Sequence, residues 1–473
     1  MFEDRFFVTE DSSESRAALA AVSAASRAEN RAAAARLVAI AELWAIRLRE
    51  CGDHADWVVD AEAAVTAEIA AELRISQGLA ASALRYARAL RRIPRVAEAF
   101  VAGEVDFSLF RTIVYRTDLI TDDGVLAAVD TELAVTVPAW PSMTRSRLAA
   151  HIDKIVRRRD RDAVRKPRNE SPAEREVWIA DRFDGLSEIS ATVLTPHAHA
   201  FGRTLAALAA TVCEQDPRSP EARRADAIDV LTAGGERLAC RCGRADCAAA
   251  ARPPVGSVVI HLLTDDLGRS PGAELGGDGL LPPEAMAELA GSARVRPLLP
   301  PVDAEPEPQY TPSRSLADFV RCRDMTCRFP GCDHPATRSD IDHTLPYDAG
   351  GATHASNLKT LCRLHHLLKT FWGWQDRQLA DGTVIWKAPT GQVYVTTPGS
   401  ALLFPALCRP TAPIVGSASV PADRRGDRTA MMPKRRRTRA QDRLSRVLAE
   451  RRSHRRPRRI KAHPDDGDDP PPF

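Results

Sequence analysis

At 473 residues the chain is too long for one compact core, so two or three domains are expected. Hydrophobic residues make up 44% and charged residues 27%, as in a soluble globular protein, and no run approaches the roughly 18–20 apolar residues of a membrane span. The formal net charge of +3 is unevenly placed: residues 434–461 carry 14 Lys/Arg against Asp442 and Glu450, and the first 433 residues net −5.

The start, "MFEDRFFVTEDSSESR", is acidic and polar, with no apolar stretch behind a basic one; a cytoplasmic protein is expected. In that compartment the ten cysteines read as metal ligands or reduced thiols rather than disulfides.

Residues 14–160 are rich in Ala, Leu and Arg at helical spacing, with almost no Gly or Pro. "TAEIAAELRISQGLAASALRYARAL" predicts helix, turn, helix, with the turn at "RISQG". The pattern suits a DNA-reading helix-turn-helix and equally any helical hairpin. "LRRIPRVAEAFVAGEVDFSLFRTIV" predicts two more helices joined at "AGEVD". This helical half is also the candidate surface for a protein partner or self-association.

From residue 176 the period changes. "EVWIADRFDGLSEISATVLTP" alternates about Asp184-Gly185 and predicts a hairpin, followed by helices near 197–214 and 219–234 and the apolar strand "VGSVVIHLL". "CRCGRADC" brings Cys240, Cys242 and Cys247 together, either as zinc ligands with a distant fourth or as reduced thiols in a turn. Residues 291–313, rich in proline, read as a linker.

Beyond the linker, Cys327-x4-Cys332 and Cys362-x2-His365 form two pairs at zinc-binding spacing, supplying three thiolates and an imidazole with no open position. A small segment with a thin core would owe its fold largely to that structural zinc. Asp342 and His343 should end a short strand, Gly350-Gly351 permit a tight loop, and Asn357 should begin the helix "NLKTLCRLHHLLKT". Consecutive helical residues point about 100° apart, so His365 can face the zinc while His366 turns to another site. Asp342 and His366 can there hold a second divalent ion (Mg²⁺, Mn²⁺ or a later one) while His343 faces a substrate. Trp372 and Trp374 read as core, and "GWQDRQLADGTVIWKAPTGQVYV" as a three-stranded meander closing the domain. Arg321, Arg323, Arg328, Arg363 and Lys369 surround the site as candidate phosphate contacts. The basic run 434–461, in a tail of 401–473 expected to be disordered, attracts a polyanion such as nucleic acid, or is simply solvated.

Asp342-His343, Asn357 and His366, with the paired cysteines, resemble the zinc-stapled HNH (ββα-metal) nucleases. "ELGGDGLLPPEAMAELA", "RSLADFVRCRDMTCRFPGC", "DGTVIWKAPTGQVY" and the Ala-rich first half resemble the 13E12-repeat family, a domain of unknown function followed by HNH. The resemblance covers most of residues 30–400. It implies an α+β chain: a domain over 14–290, helical to about 160 and mixed thereafter, and a small ββα-metal domain over 314–400. It implies a metal-dependent endonuclease hydrolysing phosphodiester bonds in DNA. His343 would be the general base, Asp342 and His366 would bind the catalytic ion, and Asn357 would orient His343 through a hydrogen bond or contact the metal. Many HNH proteins carry a further metal histidine where this chain has Thr370. A catalytically silent zinc module that binds DNA is the alternative.

Overall fold

A computed structural model of the chain describes residues 12–141, 143–165, 175–182, 186–249, 296–412 and 431–455, with short pieces between 262 and 286. The helical half is seven helices: α1 (Ser13–Cys51), α2 (Ala61–Leu73), α3 (Gln77–Arg92), α4 (Pro94–Ala102), α5 (Phe107–Thr117), α6 (Asp123–Thr136) and α7 (Arg145–Arg159). Their starts follow the sequence: Ser12, Asp60, Ser76, Asp106 and Asp122 each accept a hydrogen bond from an N–H of the first turn. The expected helix–turn–helix is α2–α3. Its turn is covered by the loop around Gly331, where a Cβ would lie 2.5 Å from the Ile75 carbonyl oxygen.

α2 is the element that unites the molecule. Ten of its thirteen residues are buried, most of them alanines that let neighbours approach closely. Val65, Ile69 and Ala70 face the helical core around Phe100, Phe110 and Ile113. Ala63, Ala64, Ala67 and Ala71 face a second core with Phe329, Trp374 and Trp386. The region beyond residue 314 therefore packs directly on the helical half. Trp372 Nε1 donates to the Val59 carbonyl, and Tyr394 Oη lies 2.8 Å from the Glu72 carboxylate.

β1 (Glu176–Asp181) and β2 (Ser187–Thr192) form the expected antiparallel hairpin, with Asp181 opposite Ser187; its turn residues lie outside the described ones. α8 (Thr195–Ala209) and α9 (Pro220–Thr232) follow and pack around Leu205, Leu208, Ala227, Val230 and Leu238. The expected strand at "VGSVVIHLL" falls mostly outside the described residues; β3 (Leu262–Leu263) pairs with β4 (Gly272–Glu274), and β4 with β5 (Leu280–Leu281). No described helix is long and apolar enough to cross a membrane.

α10 (Arg314–Asp324) opens the last region, capped by Ser313, whose N–H and hydroxyl both bond Glu307. The segment read as a linker is mostly exposed from residue 296 to 313 but is tied down at points: Asp303 N–H donates to the Thr411 carbonyl, and Glu307 bridges to Thr353. β6 (Asp340–His343) and β7 (Leu358–Leu361) pair antiparallel and feed α11 (Arg363–Phe371). Asn357 was expected to begin a helix. It instead precedes β7, because 358–361 are claimed by pairing with 340–343, and the helix starts only at its N-cap, Cys362. β8 (Gln375–Gln378), β9 (Val384–Lys387) and β10 (Val393–Thr396) form the predicted meander, with Trp374 buried and Trp372 half-buried.

The tail departs from the expected disorder. α12 (Arg439–Arg455) lies along the helical half with Val447 buried in its core. Arg439 pairs with Asp60, Arg443 with Asp118, and Arg451 with Asp160. The slightly acidic body supplies partners that the basic run takes up. The rest of that run, 456–461, lies outside the described residues.

Candidate functional site

Two short strands and one helix converge here. Cys327 lies two residues beyond Met325, the C-cap of α10, Cys332 follows the turn at Gly331, Cys362 caps α11, and His365 sits in its first turn. Their ligand atoms all lie within 4.8 Å of one another. His365 presents Nδ1, 3.2 Å from Cys362 Sγ and 3.5 Å from Cys327 Sγ. A tetrahedral zinc with Zn–S of about 2.3 Å sets its sulfurs about 3.8 Å apart, so the set matches that ion. Hydrogen bonds from Cys327 and Cys332 hold the Cys362 thiol far below its ordinary pKa, in the thiolate form a metal requires. The His365 ring stacks on Phe329 at 4.0 Å between centroids. These residues can hold a metal ion such as zinc.

The strand β6 sorts the remaining candidates by face. Asp340 and Asp342, two apart, point to one side; His343 points to the other. On the first side His366 lies between the carboxylates, Nδ1 3.0 Å from Asp340 Oδ2 and Nε2 3.4 Å from Asp342 Oδ1. In the tautomer that donates Nδ1–H to Asp340, the Nε2 lone pair faces the Asp342 carboxylate. Two acceptors facing each other suit a shared cation. Asp342 Oδ2 is occupied: Lys359, its cross-strand partner, and Lys369 each donate from 2.7 Å, and both lysines also reach Asp376. Burial opposes the Asp342 charge, but the ammonium groups of Lys359 and Lys369 outweigh it and hold the carboxyl well below the usual range. Asp342 Oδ1 and His366 Nε2 are the two atoms here that could ligate a divalent ion, beside a carboxylate already paired with Lys359 and Lys369.

On the opposite face His343 is only 5% exposed. Its Nε2 lies 3.0 Å from Thr353 Oγ1, and that hydroxyl donates to the Tyr310 carbonyl. Nε2 therefore carries the hydrogen and Nδ1 is bare. Burial lowers the ring's pKa and keeps it neutral. Tyr310 stacks on it at 5.2 Å and Tyr347 meets it edge-on at 5.8 Å. Neither tyrosine was foreseen. Tyr310 lies in the segment read as a linker, and only its aromatic ring among the prolines could have marked it.

Asn357 does not bond His343. Its Oδ1 accepts from Leu345 N–H, and its Nδ2 donates to the carbonyls of Leu345 and Ala352. It clamps the loop after His343 shut. The loop is tight enough that a Cβ at Gly351 would lie 1.9 Å from the Leu345 oxygen. Three expected phosphate contacts are also corrected. Arg323 is buried, donating to Asp324 and to the Ala355 and Leu358 carbonyls; Arg328 is buried on the carbonyls of Thr396 and Thr397. Lys369 is spent on Asp342, Asp376 and the His343 carbonyl. Arg321 is half-buried, and the side chain of Arg363, beside Asp340, is 65% exposed.

A second group, Cys213, Cys240, Cys242 and Cys247, also has its sulfurs within 4.8 Å of one another and can hold a metal ion. Cys213 is the distant fourth residue left unnamed by the sequence.

A family model described as a domain of unknown function (DUF222) matches residues 24–324. The chain belongs to the DUF222 family. It is 41% identical over 468 residues to the uncharacterized protein Rv3776 of Mycobacterium tuberculosis, an alignment covering 92% of this chain and 89% of that one. It is 40% identical over 484 residues to the uncharacterized protein Rv2100 of the same organism, covering 92% and 87%. No solved structure matches. The DUF222 segment ends at Asp324, just before Cys327, yet through α2 it supplies one wall of the core on which the ββα unit rests.

Proposed function

We propose that this DUF222 protein is a zinc-stapled HNH nuclease of the 13E12-repeat type, a cytoplasmic, metal-dependent endonuclease acting on DNA. The observation that carries the reading is the division of β6: an aspartate–histidine pair on one face, and a neutral, fixed histidine on the other.

In this reading His343 Nδ1 takes the proton from the attacking water. Thr353 fixes the ring by accepting from Nε2–H, and Tyr310 and Tyr347 hold its plane. A neutral imidazole with one bare nitrogen suits that task. Asn357 is a positioning residue acting through the 344–352 loop. Asp342 and His366 would hold a divalent ion, whose chemistry is to stabilise charge on the phosphate and the departing oxygen. Asp340 orients His366 as a carboxylate orients a ligating imidazole. Arg363 is the exposed cation best placed to meet a phosphate.

The test is cleavage of supercoiled plasmid by wild-type protein and by His343→Ala, with and without divalent ions. Divalent-dependent nicking that His343→Ala abolishes is the expected result. The second reading, a silent zinc module that binds DNA, is favoured by one observation: Asp342 is already neutralised by two lysines. Binding of the plasmid with no cleavage under Mg²⁺, Mn²⁺, Co²⁺ or Ni²⁺ would decide for it.

A further inference from the structure

We propose that Cys213, Cys240, Cys242 and Cys247 form a second, all-thiolate zinc centre that staples the α8–α9 hairpin. Four soft donors converge from separated parts of the chain: Cys213 just beyond α8, and the other three beyond α9. Their sulfurs lie within 4.8 Å of one another, with Cys213 Sγ 3.4 Å from Cys240 Sγ. That separation is far from the roughly 2.05 Å of a disulfide and close to the roughly 3.8 Å edge of a zinc–thiolate tetrahedron. All four are free thiols.

The protein holds the ligand loop in place by means of its own. Asp216, fully buried at its side chain, accepts from Arg218 and from the Arg241 N–H, and Arg218 also donates to the Ala239 carbonyl. The backbone on both sides of Cys240 is thereby tied to the segment that follows Cys213. Gly243, at φ +73°, turns the chain between Cys242 and Cys247, and the Cys240 N–H donates to the Ala249 carbonyl. Arg237 and Arg244 line the same pocket as Cys213 and Cys247, Arg244 being paired with Asp246.

Four thiolates without an oxygen or nitrogen donor select a soft ion such as zinc over magnesium or manganese, and they leave no open position for substrate. Binding one Zn²⁺ releases four thiol protons and leaves a centre of charge −2. The role is structural. Among the described residues the hairpin's buried core is Leu205, Leu208, Ala227, Val230 and Leu238, with Val212, Ile228 and Leu231 partly buried against it, a small core for such a unit.

Full-length protein purified with a thiol reductant and no added metal should contain two zinc per chain by elemental analysis. Cys213→Ala should contain one, Cys362→Ala one, the double variant none, and Cys51→Ala, an exposed cysteine outside both groups, two. One zinc per chain in the wild type, or an unchanged count in Cys213→Ala, overturns the proposal. Should Cys213→Ala fail to fold, the wild type decides. Mercurial titration should release the second zinc as four thiols react. A disulfide mapped between any two of Cys213, Cys240, Cys242 and Cys247 in the protein as purified overturns it too.

Discussion

The two cysteine groups differ in what surrounds them more than in their ligands. Cys327, Cys362 and His365 are buried, and the group lies under a core that runs through Phe329, Trp374 and Trp386 to α2 and so into the helical half. Of Cys213, Cys240, Cys242 and Cys247 only Cys240 is buried, and their hairpin has a core of its own with five buried side chains. A ligand set fixes which metal is held. The packing around it fixes how much of the protein depends on it.

Cys362→Ala carries the largest expected effect. A structural zinc contributes about 10–16 kcal/mol in finger-sized peptides, which matches or exceeds the roughly 5–15 kcal/mol stability of a whole domain. Residues 326–396 should therefore unfold, and hydrogen exchange should accelerate in α2 as well, since Ala64 and Ala67 lose their cover. Under Cys213→Ala, accelerated exchange should stay within residues 195–249. Fast exchange in α2 after Cys213→Ala would break the contrast.

Next in size is His343→Ala. Loss of a general base lowers a rate by roughly 10²–10⁴-fold, while the zinc count and exchange pattern should match wild type. Asp342→Ala should behave differently: more divalent ion should be needed for half-maximal cleavage, because a ligand is gone. It also frees Lys359 and Lys369 from one partner, so part of its defect should persist at saturating metal. Cleavage by His343→Ala at the wild-type rate would separate the metal staple from any chemistry beside it. A few-fold fall in rate is expected for Tyr310→Ala, which removes a ring that holds the plane of the base and leaves its bond to Thr353 in place.

Much of the staple was legible because its ligands come in pairs: Cys327 with Cys332, and Cys362 with His365, each close enough to be read as a unit. Cys213 was not, since it stands 27 residues before Cys240 with α9 between them. Asn357 misled because "NLKTLCRLHHLLKT" keeps a helical apolar period throughout. Only long-range pairing with 340–343 shows that its first third is a strand. Arg323 and Arg328 read as phosphate contacts by charge alone. Their burial depends on Asp324 and on carbonyls from β7, its preceding turn and the end of β10, which sequence separation hides. The faces of β6 were half legible: alternation separates Asp342 from His343, but the lysines on Asp342 and the tyrosines on His343 appear only in the fold.

The smallest expected effect concerns a third kind of fastening. α12 is held to the helical half by Val447 and by ion pairs whose side chains are mostly part-exposed, Arg439 at 41% and Arg443 at 51%. Such pairs contribute about 0.2–1 kcal/mol each, and the Debye length falls from about 10 Å at 0.1 M salt to about 3 Å at 1 M. Arg451 with Asp160, at 12% and 13% exposure, is the pair best shielded from salt. Raising sodium chloride from 0.1 to 1 M should therefore speed exchange in residues 439–455, least near Arg451, and leave both cysteine groups unchanged, since metal–thiolate bonds are not screened. Arg451→Ala should extend the salt response along the whole helix. Added DNA should act in the same direction, because phosphates compete with Asp60 and Asp118 for the same guanidinium groups. Exchange in α12 that ignores both salt and DNA would mean that Val447 and its neighbours, not the charges, fasten the tail.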